Sequence, residues 1–136
     1  MADMSDLLEK ARQAAEASYS PYSHFRVGAA LLCKDGTVFV GTNVENRSYG
    51  LTNCAERSAV FSAVSAGKHE FAAIAVCTPD SAEAVAPCGA CRQVLSEFAK
   101  ADFPVTFAGR DRRVDTTVGE LYPFDSLQTL KNRIPG

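Results

Sequence analysis

Three cysteines and a glutamate sit in two short stretches, Asn53-Cys54-Ala55-Glu56-Arg57 and Pro87-Cys88-Gly89-Ala90-Cys91-Arg92-Gln93. Thiolate sulfur is a zinc ligand, and three protein ligands leave the fourth tetrahedral position open, the form of a catalytic site. Glu56 is then the natural proton carrier beside a water activated there. Three thiolates leave the metal group formally negative, which weakens its pull on water, so cationic neighbours are expected. Arg57 and Arg92, next to Glu56 and Cys91, are the candidates. The competing reading of Cys88-x-x-Cys91 is a thioredoxin-like redox pair. It leaves Cys54-Ala55-Glu56 without a role.

Both stretches open helices. Ala55, Ala59 and Ala63 recur at i, i+4, i+8 with Val60 and Val64 beside them, and Val94, Leu95, Phe98 and Ala99 follow the second stretch. Unpaired N–H groups and the helix dipole favour negative charge at such N-termini, which suits thiolates. If the two helices lie side by side, Cys54, Cys88 and Cys91 converge on one zinc ion.

The remaining elements must hold those two helices. Ser5 reads as the cap of a first helix whose buried face is Leu7, Leu8, Ala11, Ala14, Ala15 and Ser18, with Pro21 ending it. Val27 to Cys33 is an apolar run, Asp35-Gly36 marks a hairpin tip, and Val38 to Val40 returns. Gly41 to Asn53 is polar and fits neither regular element, but it leads into the first cysteine helix, which Gly67 stops. Phe71 to Cys77 is a strand buried on both faces, and Pro104 to Ala108 and Arg113 to Asp115 are further strands. Thr117-Val118-Gly119-Glu120 has capping-box spacing for a brief helix before Pro123, and the tail from Lys131 to Gly136 is expected to fray. The predicted fold is α/β: a mixed sheet between helices, in a single domain spanning 1–136.

Composition narrows the function classes. Fourteen basic and sixteen acidic residues give a net charge of −2 with no basic stripe, which disfavours nucleic acid as partner. No apolar run approaches membrane-spanning length, so no membrane partner is expected. Five cysteines, an odd count, in a chain whose start lacks a secretory pattern point to metal-bound thiolates in a reducing cytoplasm. Cys33 and Cys77 read as buried small apolar residues.

The two cysteine stretches together resemble the zinc signature of the cytidine deaminases, in their small homotetrameric branch. Five stretches between about Tyr19 and Phe124 carry the resemblance, in the family's order. It implies a three-layer α/β/α fold with a five-stranded sheet, one zinc ion per subunit, and a homotetramer. The implied reaction is hydrolytic deamination of cytidine and 2′-deoxycytidine, as in pyrimidine salvage. By the match, Cys54, Cys88 and Cys91 are the ligands, Glu56 the catalytic proton shuttle, and Arg57 a hydrogen-bond donor to a thiolate. The backbone around Ala55 and Pro87-Cys88 would hold the exocyclic amine and ring carbonyl. Asn43 and Glu45, in Asn43-Val44-Glu45-Asn46, would hold the 3′-hydroxyl, and Phe25 would flank the pyrimidine. Leu121-Tyr122-Pro123-Phe124 resembles the stretch whose phenylalanine completes a neighbouring subunit's pocket, but Phe124 follows Pro123 directly where the family's gap is two residues longer.

Other deaminases carry similar cysteines, and a blasticidin-type nucleoside deaminase is the nearest alternative. A structural zinc module is the alternative outside catalysis. It needs a fourth ligand from Cys33 or Cys77, neither of which has ligand-pair spacing, and it leaves Glu56 unused.

Overall fold

The computed structural model describes residues 4–126 and 130, so the tail expected to fray lies outside the described residues. In chain order the elements are α1 (Met4–Ala15), β1 (Gly28–Cys33), β2 (Val38–Thr42), a 3₁₀ turn (Tyr49–Leu51), α2 (Ala55–Ser65), β3 (Phe71–Cys77), α3 (Gly89–Phe98), β4 (Pro104–Ala108), β5 (Arg113–Thr117) and α4 (Val118–Leu121). The strands form one mixed sheet in the order β2-β1-β3-β4-β5. β3 and β4 run parallel, with α3 as the crossover that a parallel pair requires. The other neighbouring pairs are antiparallel.

Side chains alternate along β1 and β3 and split the core in two. Ala30, Ala73, Ala75 and Cys77 meet Leu7 and Ala11 of α1 on one face. Leu31, Ile74, Val76 and Val105 meet Val60, Ala63 and Leu95 of α2 and α3 on the other. Small residues thus let α1 lie close, while the larger ones fill the space under the two cysteine helices. Leu31 and Ile74, both fully buried, each contribute roughly 1.5–3 kcal/mol by leaving water.

Gly41 in β2 fixes how near α2 can come. A Cβ there would stand 2.4 Å from the Ala55 carbonyl oxygen and 2.5 Å from the Ala59 nitrogen. The start of α2, and with it Cys54, therefore rests directly on the strand. At the other end of α2, Gly67 takes a φ of 84° and Lys68 N–H reaches the Ala63 carbonyl at 2.9 Å, closing the helix as expected.

Four expectations change in detail. Ser5 lies inside the first turn of α1 rather than capping it, and its hydroxyl accepts from Arg113 at 3.0 Å. α1 stops at Ala15, well before Pro21, because Tyr19 is already paired with the loop after β2: its N–H donates to the Asn43 carbonyl and its carbonyl accepts from Glu45 N–H. β1 starts at Gly28, since the Val27 N–H is taken by the Asn43 side chain. β5 extends to Thr117, whose hydroxyl accepts from Glu120 N–H and caps α4.

Candidate active site

Cys54 is the N-cap of α2 and Cys88 the N-cap of α3, both with extended backbone and neither using its sulfur to cap. Cys91 sits one turn into α3 and is fully buried, Cys54 is half-buried, and Cys88 is exposed. The sulfurs of Cys54 and Cys88 are 3.7 Å apart and those of Cys88 and Cys91 are 3.5 Å apart, with all three inside 4.8 Å of one another. Zinc–sulfur bonds of about 2.3 Å in a tetrahedron place sulfurs about 3.8 Å apart, so this donor set fits zinc. Cys33 and Cys77 are buried in strands and lie outside the cluster.

The electrostatics are arranged around that cluster. Cys54 is held down to about 5, first by the hydrogen bond from Cys91 and then by Arg57 and Cys88, against the cost of its burial. Cys91 moves the other way, because its thiol donates to Cys54 and its own ionisation would bury a second charge. Arg57 donates from Nη2 to the Cys54 sulfur at 3.3 Å, the contact expected of it, and is held firmly protonated by that bond. Its Nε is buried without a partner among the described residues. Glu56 is 4% exposed, and burial pushes its carboxyl up to about 7.

A second group of residues forms a rim of loops. Asn53, just before Cys54, exchanges both backbone hydrogen bonds with Val44, which ties the polar loop after β2 to the start of α2. Next to Val44, Asn43 is 7% exposed. Its side-chain oxygen accepts from Val27 N–H at 2.9 Å and from the Ser18 hydroxyl, and its amide donates to the Phe25 carbonyl at 2.8 Å. On the other side of Val44, Glu45 accepts from the N–H groups of Tyr22 and Ser23 at 3.0 and 3.1 Å and from the Ser23 hydroxyl. Those bonds, the hydroxyl's first, keep its carboxyl below the usual range. A cavity of about 390 Å³ opens here, lined by Tyr22, Ser23, Glu45, Tyr49 and Thr52.

Residues 1–106 match the family model for the cytidine and deoxycytidylate deaminase zinc-binding region. A cytidine deaminase of Halalkalibacterium halodurans is 52% identical over 122 residues, covering 89% of this chain and 92% of that protein. The crystal structure of a cytidine deaminase from Burkholderia pseudomallei superposes with a TM-score of 0.86 at 49% identity, covering 90% of this chain and 98% of that one. One from Mycobacterium tuberculosis gives 0.78 at 39% identity, covering 91% and 97%.

The chain belongs to the cytidine and deoxycytidylate deaminase family. Zinc is accordingly the cofactor of the sulfur cluster. The fold is the one the resemblance implied, a five-stranded mixed sheet with α1 on one face and α2 and α3 on the other.

Within this deaminase framework the predicted residues fall into three places. Cys54, Ala55, Glu56, Arg57, Cys88 and Cys91 gather at the starts of α2 and α3. Phe25, Asn43 and Glu45 lie on the rim, joined to Cys54 through Val44 and Asn53. Phe124 stands apart, fully exposed, with a φ of 56°. Arg92 is not at the sulfurs: its Nε donates to the Pro87 carbonyl and its Nη1 to the Leu121 carbonyl, both at 2.8 Å, so it fixes the peptide that leads into Cys88.

Ser18, Ser23 and Asp80 were not found by sequence reasoning. Their hydrogen bonds run to residues 22 to 54 positions away in the chain, and no spacing rule links such partners. A serine beside a predicted turn was the only signal, and it is too common to select one.

Proposed function

We propose that this chain catalyses the hydrolytic removal of the C4 amino group of cytidine and 2′-deoxycytidine, giving the uridine nucleosides and ammonia. The observation that carries it is a buried carboxyl, its proton affinity raised by desolvation, on the same helix start as one of three zinc-compatible sulfurs at two helix N-termini. Cys54, Cys88 and Cys91 would hold the zinc, which would supply Lewis-acid activation of water, weakened by the three thiolates and partly restored by the Arg57 guanidinium at Cys54.

The chain's own groups do the rest. Glu56, its proton affinity raised by burial, accepts a proton from the attacking water and delivers it to ring N3 as the water oxygen adds at C4. It then carries the second proton to the departing amine, which leaves as ammonia, and the C4 carbonyl forms. Ala55 and the Pro87-Cys88 peptide hold the amine and ring carbonyl, the latter peptide being oriented by Arg92. Asn43 and Glu45 hold the 3′-hydroxyl, and Phe25 closes one side of the pyrimidine pocket against water.

A homotetramer completes the reading. Phe124 forgoes roughly 1.5–3 kcal/mol of burial in the single chain, which fits a ring that enters a neighbouring subunit's pocket. A native mass of one chain instead of four removes this part of the proposal. Five cysteines outside any disulfide, three of them zinc ligands in this reading, fit a reducing cytoplasm, which cell fractionation tests.

The deciding experiment follows cytidine absorbance on mixing with purified protein, then repeats after zinc removal and restoration. The expected result is turnover with equimolar ammonia, lost with the metal and regained with it. Metal-independent turnover, or none with zinc fully loaded, overturns the proposal. Faster reaction with blasticidin than with cytidine moves the substrate assignment to that nucleoside.

A further inference from the structure

The segment that carries Phe25 belongs to no helix or strand, so its position depends on side chains that hold its backbone. Within the segment the Ser23 hydroxyl accepts from the Phe25 N–H at 3.0 Å, and two residues from outside it hold it from opposite sides. Asn43 takes the Phe25 carbonyl and the Val27 N–H. Between those two groups, the Arg26 N–H donates to Asp80 Oδ2 at 2.8 Å. The Arg26 guanidinium also grips the same carboxylate, Nη2 to Oδ1 at 2.7 Å and Nε to Oδ2 at 3.1 Å. A forked pair of this kind fixes direction as well as distance.

Asp80 comes from the loop between β3 and α3, the loop that ends in Pro87-Cys88. It therefore ties the Phe25 segment to the backbone that presents a zinc ligand. Asn43 reaches the same segment from the loop that, through Val44 and Asn53, ends in Cys54. The aromatic wall is thus braced against both cysteine-bearing stretches.

We propose that Asp80 is a positioning residue of the active site: by holding the Arg26 peptide and guanidinium it sets where the Phe25 ring stands against the bound base. This rests on the assignment of Phe25 to the pyrimidine wall.

Asp80→Asn keeps size but removes the charge and turns one acceptor into a donor facing the guanidinium. The expected kinetic result is a KM for cytidine about fivefold higher, with kcat per bound zinc within about a factor of two. In a Phe25→Ala background the same substitution should leave KM unchanged, since the wall it acts through is gone.

A readout independent of turnover uses the absence of tryptophan from the chain. Phe25→Trp installs a single reporter, and adding Asp80→Asn should raise its acrylamide quenching and lower its anisotropy. Unchanged quenching overturns the inference, as does a loss confined to kcat or zinc content with KM untouched. If the wild-type protein releases no ammonia from cytidine, the functional reading fails, and the tryptophan measurement still decides whether Asp80 orders position 25.

Discussion

The metal corner and the rim are built by opposite means. Cys54, Glu56, Cys88 and Cys91 sit on two helices pressed onto the sheet, and their positions follow from regular backbone and core packing. Phe25, Asn43 and Glu45 sit on irregular chain held by hydrogen bonds from side chains to distant backbone. Chemistry that depends on sub-ångström placement has been given the stiffer support. The sugar binding proposed for the rim tolerates more, and loops suffice for it.

Substitutions should separate the two. Glu56→Gln removes the proposed proton carrier while keeping its shape, so kcat should fall by about 10³-fold with zinc content unchanged. Steady-state kinetics on metal-analysed protein checks this, and an active, zinc-loaded variant ends the assignment.

Gly41→Ala attacks the packing beneath the metal corner. The added methyl meets backbone of α2 on two sides, so a destabilisation of about 3 kcal/mol and a melting temperature about 10 °C lower are expected. Because α2 carries Cys54, zinc occupancy should drop in the same variant. Full occupancy at a wild-type melting temperature would show that the corner does not depend on this close approach.

Arg57→Ala should leave the fold intact while stripping the Cys54 sulfur of its cationic donor. Zinc affinity should weaken by about 10- to 100-fold, measured by competition with a chelator. Unchanged affinity and turnover would reduce Arg57 to a packing role.

Acid should loosen the rim by the smallest margin. Asp80 titrates at about 2 in the fold, held down first by the side-chain bond from Arg26 and then by its backbone N–H, against an ordinary 3.8. A depressed carboxylate contributes stability in full above the unfolded value and loses it as pH falls through the folded one. The melting temperature of wild type should therefore exceed that of Asp80→Asn above about pH 4, and the gap should close towards pH 2. A gap that persists at pH 2 excludes the carboxylate charge as its source.

The same contrast explains what could be read in advance. The clustering sulfurs were legible because, within each stretch, the cysteines and the helix N-terminus that presents them fall within a few residues of one another. β3 was legible to the residue, from Phe71 to Cys77, because a strand buried on both faces is a continuous apolar run. The end of α1 was misplaced because a pairing between Tyr19 and the loop after β2, and not Pro21, draws the chain away. Arg92 was a candidate neighbour of the sulfurs by sequence adjacency alone, while its direction on α3 carries it to Pro87 and Leu121.

By itself the sequence determined the donor atoms, their local spacing and the helices that present them, since these are short-range matters of side-chain chemistry and helical period. Only the tertiary structure decided that the three sulfurs meet, that Glu56 is buried and its proton affinity thereby raised, and that Asn43 and Asp80 brace the Phe25 segment from two sides. Convergence, desolvation and bracing all depend on residues far apart in the chain, and only packing on the sheet brings them together.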